Sequence, residues 1–283
     1  MGTSASSSGP GGGVPLVPPW VDDVGNESSP GPDGDNDAPQ DQGETSGTQD
    51  QAAAPQPAIA PRARFRAARV NLGSFSRGGS TDGLKRGLGH YSRTGLGGSR
   101  QATNRMARTA RNSGILYGAL NALAGRGSAP SELRVDLAQL RGRPAQEIVD
   151  HLAEAISPSD GSQDAEANRE SISEALRELI ASSPDIDLST LTEGQIVAVI
   201  ESYISYDIFH RVELDVGKAV FANTDPSTAM HRLDQMFSYI RQCVSSALQK
   251  LNAFGKALTQ TEASRISRGI IAETFNVFEE YIS

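Results

Sequence analysis

The chain has 283 residues, a formal net charge of −8 and a single cysteine, Cys243. One cysteine excludes a disulfide framework and a zinc site built from several cysteines. No apolar run is long enough to cross a bilayer, and the N-terminus lacks the basic and apolar regions of a secretory signal. We therefore expect a soluble, cytoplasmic protein.

Charge divides the chain into three segments. The first contains nine acidic residues and no lysine or arginine, the second contains twelve basic residues and one acid, and the third carries a net charge of −10. Blocks of this kind indicate separate physical roles. The predicted regions are a disordered N-terminal arm over 1–61, a basic Gly/Arg-rich segment with the start of the first helix over 62–112, and an acidic all-helical domain over 113–283.

The arm combines low complexity with one apolar motif. Its acidic, Pro- and Gly-rich sequence has too little apolar surface to offset the entropy of ordering the backbone. Residues 14–20, VPLVPPW, contain the only tryptophan of the chain and are stiffened by prolines. We predict that this motif docks on a partner. The partner-binding candidates within it are Leu16, Val17, Pro18, Pro19 and Trp20.

The first residues, MGTS, predict a modification site. Removal of Met1 would expose the unhindered amine of Gly2, followed by the small residues Thr3 and Ser4. The same start fits the myristoylation pattern, with Ser6 in place. The alternative is that Gly2 only permits removal of Met1.

The basic segment is interrupted by glycines, so we expect no long element before Ser99. Ser99 predicts the N-cap of a helix that continues to Leu123. The glycine run directly before it would leave backbone N–H groups exposed at a helix start, which suits an anion. The candidates for an anion or partner contact are Tyr91, Arg93, Gly95, Gly97, Gly98, Ser99, Arg100 and Arg105.

The sequence leaves three interpretations of the basic segment open. In the first it wraps the acidic helical domain of its own chain, and in the second it holds an acidic partner. In the third it follows a nucleic-acid backbone with its arginines while Phe65, Phe75 and Tyr91 stack on bases. We favour the two protein-based interpretations, because three aromatic residues are few for a strand-binding surface.

Apolar periodicity predicts helices throughout the rest of the chain, and hence an all-α irregular bundle. Thr192 with Gln195, and Thr259 with Glu262, predict helix starts, and Asp225 predicts an N-cap. Each predicted helix has one apolar stripe. The first four stripes are Met106, Ala110, Leu116, Leu120 and Leu123; Ile148, Leu152 and Ile156 after Pro144; Ile172, Ala175, Leu176 and Leu179; and Ile196, Ile200, Tyr203 and Ile204. The last two are Met230, Leu233, Phe237, Ile240, Val244, Ala247, Leu251, Phe254 and Leu258; and Ile266, Ile270, Phe275, Phe278 and Ile282.

No catalytic motif is recognisable. The chain lacks a Walker loop, a nucleophile elbow and a zinc-binding HExxH sequence. Acidic residues near His210, namely Asp207, Glu213 and Asp215, are typical of a solvated helix face, and Cys243 falls within an apolar stripe. We therefore expect a protein that is not an enzyme and has no metal or cofactor.

Three stretches resemble a known family. MGTSASSSGPGGGVPLVPPW, RFRAARVNLGSFSRGG and LGHYSRTGLGGSRQATNRMA are similar to the QatB family of bacterial antiphage defence proteins. The other products of the four-gene Qat system resemble an ATPase, a QueC-like enzyme (QatC-type) and a TatD-like nuclease. The resemblance implies that these three proteins are the partners.

The resemblance also implies a role for the chain start. A QueC-like enzyme joins a deazaguanine carboxylate to ammonia, and related defence enzymes use the N-terminal amine of a glycine-starting protein instead. The resulting hypothesis is a non-enzymatic defence component that presents Gly2 to a QueC-like partner for covalent deazaguanine modification. The alternative is a nucleic-acid-binding adaptor that uses residues 62–111 to recruit a nuclease.

Overall fold

The computed structural model describes residues 63–183, 186–217, 224–251 and 258–282. Every regular element in these ranges is helical, so the predicted all-α class is confirmed. The arm over 1–61, its docking motif and Gly2 lie outside the described residues.

Nine α-helices form the described part of the chain, and three of them are followed by a single turn of π or 3₁₀ geometry. The helices are α1 (Arg66–Ser76), α2 (Thr81–His90), α3 (Ser99–Arg105), α4 (Ala107–Leu123), α5 (Ala145–Ile156), α6 (Gln163–Ser182), α7 (Glu193–Val212), α8 (Pro226–Leu251) and α9 (Gln260–Glu279). The turns are Tyr91–Gly95 after α2, Glu213–Gly217 after α7 and Glu280–Ile282 after α9, and a separate 3₁₀ helix spans Leu137–Leu140.

Two helices precede Ser99, which corrects the expectation that glycines exclude any long element there. The glycines of α2 face neighbouring helices at very short range. A Cβ atom at Gly87 would lie 2.6 Å from Cγ of Leu72 on α1, and one at Gly89 would lie 2.6 Å from the carbonyl oxygen of Phe278 on α9. Glycine therefore permits close helix packing here, although it weakens intrinsic helix propensity.

The predicted helix from Ser99 to Leu123 is two helices. It is interrupted at Met106, whose backbone angles (φ −92°, ψ 21°) are not helical. Gly98, with φ of 96°, is the N-cap, and Ser99 is the first helical residue. The predicted apolar face is confirmed, because Met106, Ala110, Leu116, Leu120 and Leu123 are all buried.

The helix starts predicted for α7, α8 and α9 are confirmed. Thr192 and Gln195 form a reciprocal capping box, as do Thr259 and Glu262. The backbone N–H of Thr228 donates to the Asp225 carboxylate at 3.0 Å. These caps satisfy N–H groups that a helix start leaves without an intrahelical partner.

The stripe of α8 is shorter than its sequence suggests. Ile240 and Val244 at its centre are buried, whereas Met230 is 65% exposed and Leu251 is 44% exposed. The predicted continuation towards Leu258 crosses residues 252–257, which lie outside the described residues. Only the middle turns of α8 therefore contribute fully to the core.

The described residues from Phe65 onward form one compact unit, so the basic helices and the acidic helices share a core. Helix α9 packs against α2, α3, α4 and α8, and α7 packs against α4, α6 and α8. None of the described helices is long and apolar enough to cross a bilayer.

Candidate functional site

The basic helices meet the acidic region around the carboxylate of Asp215. The Tyr91 hydroxyl donates to Asp215 Oδ2 at 2.9 Å, and Arg105 binds the same carboxylate at 3.1 and 3.2 Å. Arg69 on α1 lies 3.5 Å from the backbone carbonyl of Asp215. Burial and the neighbouring Asp215 charge raise the pKa of Tyr91 well above its usual value, so the phenol remains a proton donor.

A second carboxylate lies beside the predicted anion site. Ser92 donates to Glu279 Oε1 at 2.6 Å, and a Cβ atom at Gly98 would lie 4.0 Å from the same oxygen. A free anion at this helix start would meet the negative charge of Glu279. Glu279 therefore places a negative charge beside the glycine run, and the anion contact stays a prediction.

Of the eight residues predicted for this site, two are buried, three are half-buried and three are exposed. Tyr91 is buried and joined to Arg105 through Asp215, and the buried Gly95 lies directly against the ring of Phe65. The exposed residues are Arg93, Gly97 and Arg100. Gly97 and Gly98 have positive φ values of 86° and 96°, and Ser99 begins α3. The predicted partner-binding residues Gly2, Thr3, Ser4, Leu16, Val17, Pro18, Pro19 and Trp20 lie outside the described residues.

The basic segment is an integral part of the fold. In addition to the Arg105–Asp215 pair, Arg108 contacts Asp160 at 2.8 Å. The three aromatic side chains of the basic segment, Phe65, Phe75 and Tyr91, are buried, which leaves none of their ring faces available for stacking on bases. A further set of arginines from α1 to α3 is exposed: Arg66, Arg77, Arg86, Arg93 and Arg100.

A buried polar network crosses the centre of the bundle and was not predicted. Asp207 is fully buried and accepts hydrogen bonds from Thr109, Asn168 and Arg211. Asn168 also accepts from the Tyr203 hydroxyl at 2.9 Å. The prediction that Asp207 lies on a solvated face is therefore wrong.

The assignment of Asp215 to a solvated face needs correction too, because its side chain is largely buried in the contacts described above. The Glu213 side chain is 44% exposed, as predicted, and lies 3.8 Å from Nδ1 of His210. One sequence signal pointed to such pairing. Asp207 and Arg211 stand four residues apart in a helix that is otherwise largely apolar, a spacing that brings two side chains together.

His210 is held in an ion pair. Its Nε2 lies 2.7 Å from the Glu174 carboxylate, and Tyr206 and Phe209 contribute neighbouring rings. Burial favours the neutral ring, but the hydrogen bonds to Glu174 and Glu213 outweigh it and raise the pKa of His210 to about 10. The imidazole is therefore charged at neutral pH and serves as a structural cation.

Cys243 is buried, and burial raises the pKa of its thiol to about 11. Its burial confirms the prediction of a small hydrophobic side chain. A thiol whose pKa is raised in this way is a poor nucleophile at neutral pH. Within the described ranges, no three His, Cys, Asp or Glu side chains group to hold a metal ion.

The fold and these contacts define an all-α protein in which arginine-rich helices are packed into an acidic helical body. The family model for Qat anti-phage system associated protein QatB matches residues 97–278. This match spans more than half of the chain, so the chain belongs to the QatB family and is a component of the Qat antiphage system. Comparison with curated proteins and with solved structures found no significant match.

Proposed function

We propose that the chain is a non-enzymatic component that binds a QueC-like protein of the same system and presents Gly2 for covalent deazaguanine modification. Membership of the QatB family carries this proposal. The sequence supports it with a small-residue start, MGTS, followed by the apolar motif over 14–20.

The proposed reaction forms an amide. The QueC-like enzyme activates a deazaguanine carboxylate with ATP, and the amine of Gly2 attacks the activated carbonyl carbon. One carboxylate oxygen leaves with the nucleotide or phosphate group, and the amine loses a proton. An α-amine has a pKa of about 7.7–8.0, so a useful fraction is nucleophilic at cellular pH.

The folded unit provides a fixed base for this presentation. It begins at Phe65, whose ring stacks on Tyr91 with 5.6 Å between centroids. The intervening chain, more than sixty residues in length, could extend to about 200 Å at most, which is ample to reach into a partner's active site. The exposed arginines of α1 to α3 are available for contacts with an acidic partner surface.

The nucleic-acid adaptor is the weaker candidate, because Phe65, Phe75 and Tyr91 are buried. The salt dependence of binding affinity distinguishes the nucleic-acid adaptor from the protein that binds a QueC-like partner. Binding through six to ten phosphates would weaken by roughly 10³–10⁵-fold between 50 and 200 mM salt. We expect the complex with the QueC-like protein to change far less, since its anchor is apolar.

The direct test is the mass of the N-terminal peptide after co-expression with the other Qat proteins. We expect Gly2 to gain the mass of the deazaguanine carboxylate less one water. Gly2→Leu should retain Met1 and stay unmodified, whereas Gly2→Ala, with its small side chain, should still lose Met1 and accept the group. An unmodified Gly2 together with full defence by Gly2→Leu would overturn the proposal.

The docking motif has its own test. Trp20→Ala should weaken the complex by about 2 kcal/mol or more, because an aromatic anchor in a pocket commonly contributes that much. Val24→Ala, an apolar substitution in the same arm but outside residues 14–20, is the control and should bind normally. Equal affinities for both variants would remove Trp20 from the interface.

A further inference from the structure

The outer side of α3 and α4 presents a row of four exposed residues, none of them acidic: Arg100, Asn104, Ala107 and Arg111. Their spacings of four, three and four residues bring them onto one side of the helical path. Backbone hydrogen bonds continue across the interruption at Met106, so the row keeps its direction from α3 into α4. At the rise of an α-helix, Arg100 and Arg111 lie about 16 Å apart along the row.

A second row lies beside the first on α9, which packs against α3 and α4. Its exposed arginines are Arg265 and Arg268, three residues apart. The Arg268 guanidinium donates to the side-chain oxygen of Asn104 at 2.5 Å, and the Ser264 hydroxyl donates to the backbone carbonyl of Arg111 at 3.4 Å. These contacts hold the two rows side by side. We call the two rows together the arginine face.

The four arginines of this face are unpaired within the described part of the chain. None of them takes part in an ion pair there, whereas the neighbouring Arg108 is paired with Asp160. Glu262, one turn before Arg265, is held in its capping box, and Glu132 accepts a hydrogen bond from α9 at 3.1 Å. The face therefore keeps a positive charge in a chain whose net charge is −8, and guanidinium groups pair strongly with carboxylates.

The arginine face ends at a pocket between α4 and α5, with a volume of about 540 Å³. Part of its lining is apolar and includes Ile115, Val135 and Ala155. Arg111 belongs to both the face and the pocket, so a ligand that lies along the face can place a side chain in the pocket. The other charged or titratable side chains of the pocket are Arg134, His151, Glu132 and Glu154.

We propose that the arginine face binds an acidic helix of a partner protein. Carboxylates spaced by three and four residues lie on one side of a helix, and the arginines of the face have matching spacings. Each guanidinium group can then bind a carboxylate through two parallel hydrogen bonds, and arginine clusters commonly recognise acidic motifs in this way. The small side chain of Ala107 leaves room for the partner helix between Arg100 and Arg111. One apolar side chain of that helix fills the pocket.

Two observations favour a protein over a nucleic acid as the partner. The pocket has an apolar lining, whereas a duplex carries a negative charge about every 1.7 Å and its backbone has no apolar side chain to fill the pocket. The chain is also net negative, so it repels a long polyanion, whereas a short acidic helix meets only the face. The proposal does not depend on Gly2, because the face is formed by α3, α4 and α9 alone.

The test uses the full-length protein, expressed alone, and a fluorescent helical peptide of about 20 residues, long enough to span the face. The peptide is alanine-based, with glutamates at spacings of four, three and four residues and one leucine beyond the last glutamate. A second peptide has the same composition but distributes its glutamates around the helix. At about 50 mM salt, where screening is weak, we expect fluorescence anisotropy to show binding of the first peptide that is tighter by about fivefold or more.

Matched charge changes locate the binding site. The double variant Arg100→Ala, Arg268→Ala should bind the first peptide about tenfold more weakly than the wild type, because it loses two charge-assisted contacts. The double variant Arg77→Ala, Arg86→Ala removes the same charge from exposed sites outside the face and should bind normally. Both should keep the wild-type melting temperature, because all four side chains are exposed.

Three results would overturn the proposal. The first is no measurable binding of the first peptide, or equal affinities for the two peptides, because bulk charge would then be the only attraction. The second is an equal loss of affinity in the two double variants. The third is tighter binding of a DNA duplex of about 20 base pairs than of the first peptide, which would make the face a site for a phosphate backbone.

Discussion

Asp207 receives hydrogen bonds from side chains on α4, α6 and its own helix, so a single carboxylate connects three elements of the bundle. Its partner Arg211 is 3% exposed and also contacts Asp164 at 3.1 Å. Burying these charges is costly unless each is paired and hydrogen-bonded. Removal of one side chain from this network therefore leaves buried polar groups of the others without a hydrogen-bond partner.

We expect Asp207→Ala to lower the free energy of unfolding by about 3–5 kcal/mol, because it leaves the buried guanidinium of Arg211 without its fully buried carboxylate partner. Glu147→Ala is the matched control. It removes a carboxylate from an exposed i,i+4 pair with Arg143 and should cost about 0.5 kcal/mol or less. Urea unfolding of both variants measures the difference, and similar stabilities would contradict the structural role of Asp207.

His210 makes stability depend on pH. Its pKa rises from 6.5 to about 10 on folding, so its contribution is complete below pH 6.5 and is lost as the pH rises towards 10. The stability difference between the wild type and His210→Gln should therefore shrink by about 1 kcal/mol per pH unit across this window. Exposed His151→Gln is the control, and a pH-independent difference for His210→Gln would refute the prediction.

For single residues, the sequence predicted the burial of apolar side chains better than that of polar side chains. Periodicity located buried positions such as Ile200, Ile240 and Phe275, because burial follows the helical repeat. It could not show that Asp207 is buried, since its partners Thr109 and Asn168 come from distant parts of the chain. The site residues Tyr91 and Arg105 were predicted, but their common partner Asp215 was assigned to a solvated face.

Helices α1 and α2 show how glycine content can be misread. A glycine on a helix surface weakens that helix, whereas a glycine at a crossing permits an approach that a methyl group would block. Gly87 is of the second kind, because Leu72 occupies the space beside it. A single sequence contains no information that separates these two kinds of glycine. For this reason the sequence did not predict helices α1 and α2.

Gly87→Ala should destabilise the protein by about 1–3 kcal/mol, because the added methyl group overlaps Leu72 in a packed core. Gly194→Ala on α7 offers the opposite case. Nothing lies within 4 Å of a Cβ atom at this position, and the substitution should raise stability by up to about 1 kcal/mol through higher helix propensity. Thermal melting measures both, and an unchanged melting temperature for Gly87→Ala would contradict the close approach.

Helix boundaries were predicted well where a cap defines them and poorly where packing does. The starts at Thr192 and Thr259 follow from local side-chain chemistry within four residues. The interruption at Met106 has no cap, and nothing in the neighbouring residues indicates it.

At the scale of the molecule, the described basic helices and the acidic helices do not correspond to separate bodies. The net-positive segment over 62–111 and the net-negative remainder were expected to attract each other, and contacts such as Arg105–Asp215 and Arg108–Asp160 join them. The Arg108–Asp160 pair is exposed and contributes little, so charge attraction alone would not fix two helices. The larger contribution comes from Leu72, Phe75, Leu84 and Leu88, all nearly inaccessible to solvent.

Deleting residues 62–98 should therefore prevent native folding of the remainder. The deletion removes those four buried side chains, each worth about 2–5 kcal/mol, from a domain whose total stability is about 5–15 kcal/mol. An equally long deletion in the arm, residues 25–61, is the control and should keep the wild-type melting temperature. Circular dichroism melting distinguishes the two. A 62–98 deletion that melts like the wild type would mean that α1 and α2 add nothing to the core, and it would favour the nucleic-acid adaptor, whose basic segment is held in reserve for a ligand.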